Sequence, residues 1–275
     1  MSTNTTLGWA WVAGASEGLG LAFAAALAQR GYSLLLFARR DTLLREVGRD
    51  LSAAHSVRVE TRVLDMAGAN LATALAELLD DHPPSIGVYN AAYVPVGEFL
   101  ERSHVELEQA IAVNARAPLL FCHTLGRAMM ANRCGALVLM SSLAGMQGSP
   151  RLAAYSATKA FNTILGEALW AELRAHNINV ITSVAGAIET PGYANTAQTT
   201  APGTLSAEAV AQRTLSALDK RNRGPVIVPG WVNRIAYLLV GRWLPRRHAV
   251  AVMARNTESL NATTASATHT PREGA

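Results

Sequence analysis

Gly8-Trp-Ala-Trp-Val-Ala13 runs without interruption into Gly14-Ala-Ser-Glu-Gly18-Leu-Gly20, and the reading of this junction decides the fold. The first half is a short apolar run bounded by glycines, the pattern of a strand buried on both faces. The second half spaces its glycines G-x-x-x-G-x-G, and an apolar helical stretch, Leu19 to Gln29, follows at once. Glycines permit a tight turn and close backbone approach to a pyrophosphate. The start of the next helix adds free N–H groups and a partial positive charge. A glycine trio alone is a weak signal. Set between a strand and a helix near residue 14, it reads as a dinucleotide phosphate loop.

Outward from this junction, β-type apolar runs alternate with longer helical stretches. Strands are expected at 8–13, 33–38, 57–64, 86–89, 136–140, 178–184 and 226–228. Helices are expected at 19–29, 41–54, 71–79, 104–130 (one long or two abutting, joined near Pro118), 154–175 and 206–217. This alternation predicts an α/β fold, a doubly wound parallel sheet of Rossmann type in a single domain. Residues 186–205, rich in Gly, Ala and Thr, read as a mobile substrate loop. Residues 230–255 read as a C-terminal helical cap bent at Pro245. Residues 1–6 are expected to be flexible, and 256–275 to form a disordered tail.

Composition narrows the function. Half of the 275 residues are hydrophobic and 16% are charged, enough for a large core. The net charge of +4 comes with scattered arginines and no basic stripe interleaved with aromatics, which speaks against nucleic acid. Cys122 and Cys134 are too few for a disulfide framework, which points to a reducing, cytoplasmic setting. The polar N-terminus does not read as a signal peptide, and no apolar run reaches the ~20 residues of a membrane span. Seven dispersed histidines, without H-E-x-x-H or C-x-x-C, point to no metal.

The chemistry lies in Tyr155-Ser-Ala-Thr-Lys159. Lys159 is one of only two lysines among 24 basic residues, where arginine is otherwise the rule. Positions i and i+4 share a helix face, so the ammonium can sit under the phenol and lower its pKa toward working pH. Thirteen residues before Tyr155, Ser142 follows the apolar run Ala136–Met140. A hydroxyl at a strand end beside a Tyr/Lys helix suits carbonyl reduction. The second strand ends in Arg39-Arg40, with no carboxylate for a ribose 2′-hydroxyl. A guanidinium fork suits a 2′-phosphate, so NADP(H) is favoured over NAD(H). Glu17, inside the glycine loop, argues the other way. Asp65, at the end of the third strand, can accept from the adenine amino group or close a turn.

With these pieces in order, the chain resembles the short-chain dehydrogenase/reductases over about residues 7 to 230. The resemblance rests on the glycine loop, Asn90-Ala91-Ala92 after the fourth strand, Asn114 in Val-Asn-Ala, Ser142, and Tyr155 with Lys159. It implies a catalytic set of Asn114, Ser142, Tyr155 and Lys159. Tyr155 would exchange a proton with the substrate oxygen as hydride moves to or from nicotinamide, and Ser142 would hydrogen-bond that oxygen. Lys159 would lower the tyrosine pKa and hold the nicotinamide ribose, and Asn114 would position a water linking Lys159 to solvent. Gly14, Ser16, Gly18, Leu19 and Gly20 would contact phosphates and ribose, with Asn90 and Ala91 beside them. Ile188 and Thr190 would touch the carboxamide. Two departures, Ala92 for a glycine and Ala185-Gly186 for Pro-Gly, would reshape loops near the cofactor. The resemblance also implies a homodimer or homotetramer, with the alanine-rich helices of 104–131 and 154–175 pairing across subunits.

The expected substrate is a small carbonyl or alcohol with apolar bulk, lined by Leu143, Met146, Tyr193, Trp231 and Tyr237. Two other readings stay open. Val232, Ile235, Leu239 and Trp243 recur at helical spacing among arginines, so the cap could lie on a membrane and serve a lipid ketoreductase. The fold could also carry a non-catalytic dinucleotide-binding regulator, although such proteins usually lose the Tyr or Lys.

Overall fold

The structure, a computed structural model, describes residues 7–194, 201–220, 224–258 and 260. The flexible N-terminus expected at 1–6, most of the expected tail and the middle of the expected substrate loop lie outside the described residues. The first half of the fold comprises β1 (Trp9–Ala13), α1 (Gly18–Gln29), β2 (Ser33–Ala38), α2 (Asp41–His55), β3 (Val59–Val63), α3 (Leu71–Ala76) and β4 (Pro84–Tyr89). The second half adds α4 (His104–Ile111), α5 (Ala117–Asn132), β5 (Gly135–Ser142), α6 (Ala153–Leu173) and β6 (Ile178–Ala185). After these come β7 (Ile188–Glu189), α7 (Pro191–Ala194), β8 (Leu205–Ser206), α8 (Ala207–Leu218), β9 (Val226–Ile227), α9 (Trp231–Leu238) and α10 (Arg246–Thr257).

Seven strands form one parallel sheet in the order β3-β2-β1-β4-β5-β6-β9. Alternate residues of each inner strand face opposite layers, which is why these strands read as unbroken apolar runs. Ala10, Val12, Leu34 and Leu36 pack with Phe23 and Leu27 of α1, Leu44 of α2 and Leu215 of α8. Trp11, Leu35 and Phe37 face the other way, toward Leu75 of α3, Phe121 and Leu125 of α5, and Leu173 of α6. Each fully buried leucine of Leu34–Leu36 contributes on the order of 2 kcal/mol. The fold is therefore the single-domain, doubly wound sheet expected. Its order reverses between β1 and β4, and the crevice at the C-terminal ends of these strands is where such sheets bind ligands.

Local differences have local causes. The expected long helix at 104–130 is split by a π-turn, Ala112–Arg116, and Pro118 lies in the first turn of α5. The expected third helix ends at Ala76 and continues to Leu79 only as turns. Within 186–205, two-residue strands β7 and β8 pair in parallel; such short segments leave no periodicity in a sequence. Ser206 accepts from the Ala209 amide and so caps α8. Pro245 stands at the N-cap of α10, which places the bend in the cap where the sequence put it.

Candidate active site

The glycine turn is built by close backbone approach. Gly14 has φ +79°, and a Cβ there would come within 2.8 Å of Ala91 Cα. A Cβ on Gly20 would meet the Gly14 carbonyl oxygen at 1.8 Å. The Gly14 and Ala15 amides both donate to Phe37 O, and Asn90 Nδ2 donates to Gly14 O at 3.2 Å. Asn90 and Ala91 thus brace the turn from behind. Glu17 is the N-cap of α1 and makes no side-chain capping bond, so the first amides of that helix are not capped by it. Gly18 lies against Thr190, whose Cγ2 would be 3.0 Å from a Cβ at Gly18. Thr190 Oγ1 accepts from the Tyr193 amide, and Ile188 packs at the margin of the core. The turn and the segment after β6 therefore converge. A tight, uncapped turn of this shape fits a dinucleotide pyrophosphate.

Ser142, Tyr155 and Lys159 come together at the end of β5. The Ser142 hydroxyl accepts from the Ala144 amide at 3.2 Å and lies close enough to the Tyr155 phenol to influence its pKa. Both side chains are half-buried, whereas Lys159 is 3% exposed. Lys159 Nζ donates to Met140 O at 3.0 Å and lies 5.5 Å from the centre of the Tyr155 ring. Burial pushes the Lys159 ammonium down to about 8. Burial raises the Tyr155 phenol above its usual value, the neighbouring Ser142 hydroxyl opposing it. This corrects the sequence expectation that Lys159 lowers the phenol pKa. The ammonium is turned to the Met140 carbonyl, and burial is the largest influence on the phenol.

The loop after β5 and the face of α6 are held by groups that the motif reading did not single out. Ser141 Oγ donates to Lys159 O at 2.7 Å and pairs with Thr163 Oγ1 at 2.7 Å. Asn162 Nδ2 reaches Met140 O at 3.5 Å, and Asn162 Oδ1 is buried without a partner. A run of buried polar residues on one helix face (Ser156, Lys159, Asn162, Thr163) is the signal that could have found them.

Asn114 lies in the π-turn packed on α6. Its Oδ1 accepts from Tyr93 N at 2.8 Å and its Nδ2 donates to Tyr93 O at 2.7 Å. The side chain is committed to the loop after β4. Pro118 has no N–H, so it cannot supply the i+4 donor that an α-helix would aim at the Asn114 carbonyl.

Arg40 Nη2 donates to Ser16 Oγ at 3.0 Å and is 2.8 Å from Glu17 Oε1. The acid that seemed to oppose a 2′-phosphate is therefore paired with one of the two arginines. Arg39 is exposed beside it. Asp65 Oδ1 accepts from the Ala67 amide at 2.9 Å and closes a turn, which Arg116 also braces through Ala67 O and Gly68 O. Trp231, expected to line the pocket, is 72% exposed. In its place Asn233, 3% exposed, donates to Gly203 O and Pro229 O, both at 3.0 Å, and ties the cap to the loop. No cluster of three metal-ligating side chains occurs among the described residues.

The sheet order is that of an open, doubly wound α/β fold, and comparison gives the family. The model of the short chain dehydrogenase family matches residues 8–201, and the chain belongs to that family. A very-long-chain 3-oxoacyl-CoA reductase of Eremothecium gossypii is 36% identical over 182 residues, 62% of this chain and 52% of that protein. The inactive hydroxysteroid dehydrogenase-like protein 1 of Homo sapiens is 33% identical over 175 residues, with 62% and 53% covered. The chain spans about half the length of these curated relatives. A short-chain dehydrogenase from Sphingobium yanoikuyae, solved in complex with NADPH, superposes with a TM-score of 0.77 at 26% identity, covering 86% of this chain and 94% of that one.

Proposed function

We propose that the protein is an NADP(H)-dependent ketoreductase acting on a carbonyl with apolar bulk. The observation that carries this reading is the convergence of Ser142, Tyr155 and Lys159 at the end of β5, with the buried Lys159 ammonium 5.5 Å from the Tyr155 ring and both hydroxyl side chains half-buried. A bound nicotinamide supplies the hydride. Ser142 orients the carbonyl oxygen, and Tyr155 gives it a proton. A phenol held above its usual pKa is fully protonated at neutral pH, which suits the acid needed for reduction. Lys159 holds the nicotinamide ribose with N–H donors beyond the one given to Met140 O, and its ammonium replenishes the phenol. Asn114 fixes the Tyr93 loop beside the crevice.

Gly14, Ser16, Gly18, Leu19 and Gly20 hold the pyrophosphate. Asn90, Ala91, Asp65, Ile188 and Thr190 line the crevice around it. Arg39 and Arg40 take the 2′-phosphate, with Ser16 and Glu17 holding Arg40 in place. The Eremothecium relative, named a reductase of a 3-oxoacyl group, and the NADPH bound by the Sphingobium protein support this assignment. The relative named inactive favours the regulator reading; Ser142, Tyr155 and Lys159, assembled together, favour the enzyme.

The test is oxidation of NADPH and NADH over ketones and aldehydes of graded size, with wild type and Arg39→Ala/Arg40→Ala side by side. Bulky apolar ketones should drive NADPH oxidation. The double variant should raise KM for NADPH by about tenfold or more and leave KM for NADH nearly unchanged. An equal effect on both cofactors would remove the 2′-phosphate contact from the account.

Subunit pairing follows from α6. Ala153, Ala157, Phe161, Ile164, Ala168 and Ala171 recur at helical spacing, and all are exposed. Small residues allow close approach of a second helix, so this face is assigned to a homodimer, or to one pairing of a homotetramer.

A further inference from the structure

One exposed apolar face is used neither by the site nor by α6. On α9 and the π-turn after it (Leu239–Trp243), Trp231, Ile235, Leu238, Leu239 and Trp243 all face solvent, at 72, 48, 50, 56 and 79% exposure. Their spacing of i, i+4, i+7, i+8 and i+12 makes one stripe, about 18 Å long, with tryptophan at both ends. Arg234 falls within its span, and Arg246, Arg247 and His248 follow it at the start of α10, all exposed.

The charge around this stripe is one-sided. Residues 220–257 contain eight of the 24 arginines and lysines and none of the 20 acidic residues. The rest of the chain holds sixteen cations against twenty acids, a net charge of −4, so the positive balance of the protein comes entirely from this segment. A second copy is a poor occupant, because a two-fold contact sets the same patch against itself and would bring arginines together without an acid to answer them. An anionic lipid surface answers them directly, and tryptophans at the stripe ends match the headgroup boundary. No helix among the described residues is long and apolar enough to cross a membrane, so the cap would lie on the bilayer.

We infer that the α9–α10 cap docks the protein on an anionic phospholipid surface through Trp231, Ile235, Leu238, Leu239 and Trp243, with the flanking arginines on the headgroups. The cap is fastened to the site: Arg246 Nη1 donates to Met146 O at 2.9 Å, four residues from Ser142, and Asn233 holds Gly203 O. Docking therefore brings the crevice mouth to the bilayer. Delivery of a lipid-borne carbonyl there rests on the ketoreductase reading; docking itself does not.

The full chain should co-sediment with vesicles of phosphatidylcholine and phosphatidylglycerol at low salt, not with phosphatidylcholine alone, and high salt should release it. Leu239→Ser/Trp243→Ser should lower the bound fraction by about tenfold or more at an unchanged melting temperature. A wild-type chain left in the supernatant with the anionic vesicles overturns the inference. If light scattering then finds that the variant alters the oligomer mass, the face belongs to a second copy. A variant that sediments like wild type overturns it as well. Ketone-dependent NADPH oxidation measured on the same samples is independent of sedimentation, so failure of the reductase reading would be seen separately.

Discussion

Tyr155→Phe is expected to lower carbonyl reduction by about 10²- to 10⁴-fold while dinucleotide binding stays within about twofold of wild type. The substitution removes one oxygen. That oxygen lies beside Ser142, and the ring that remains keeps its place 5.5 Å from the Lys159 ammonium. The polar ties of α6 to β5 run through Ser141, Lys159 and Thr163, so the helix does not depend on the phenol. Steady-state turnover together with a fluorescence titration of NADPH separates the two effects. Retained turnover would take the proton-donor role away from Tyr155. Lost dinucleotide binding would show that the phenol is structural.

Lys159→Met should have the opposite signature, making the cofactor-free protein more stable while ending turnover. A lysine lowered from its ordinary value of 10.5 to about 8 carries a penalty on its charged folded form of about 3 kcal/mol at most. Methionine fills a similar volume without a charge to desolvate. The sign of the pH dependence follows from the depressed folded pKa. Below about 8 the lysine is charged in both states and the penalty is fully present. As pH rises from there toward the unfolded value, the unfolded chain binds more protons and the wild type gains stability. Denaturant unfolding should therefore show the variant ahead at pH 7 and the gap closing above pH 8. A variant less stable than wild type at pH 7 would mean that the bond to Met140 O outweighs the desolvation of the ammonium.

Much of this was legible in the sequence because the deciding features are local. Leu34, Leu35 and Leu36 are buried on both sheet faces, and an unbroken apolar run is what such a strand must be. Gly14 and Gly20 read as glycines of a tight turn, and each sits where a side chain would strike backbone. The Tyr155 and Lys159 pairing followed from helical spacing. The direction of the tyrosine shift did not, because it depends on where the Lys159 ammonium points and on how much water is excluded. Neither quantity is encoded in an i, i+4 spacing. The roles of Asn114 and Asn233 were hidden for a related reason. Asn114 reaches 21 residues back to Tyr93, and Asn233 reaches 30 residues back to Gly203. Contacts at that separation exist only once the sheet has assembled. Glu17 and Arg40 lie 23 positions apart and looked opposed on paper; the turn of β1 into α1 makes them partners.

The most direct measurement of the central claim is isotope transfer from NADPH carrying deuterium at each of its two C4 positions in turn, with a bulky ketone as acceptor and mass spectrometry of the alcohol. Wild-type protein is predicted to move deuterium onto the carbinol carbon from one position and not from the other, and Tyr155→Phe to move almost none. An alcohol without label from either position, or undiminished transfer in the variant, would contradict a site in which Ser142, Tyr155 and Lys159 converge on the reactive end of the cofactor.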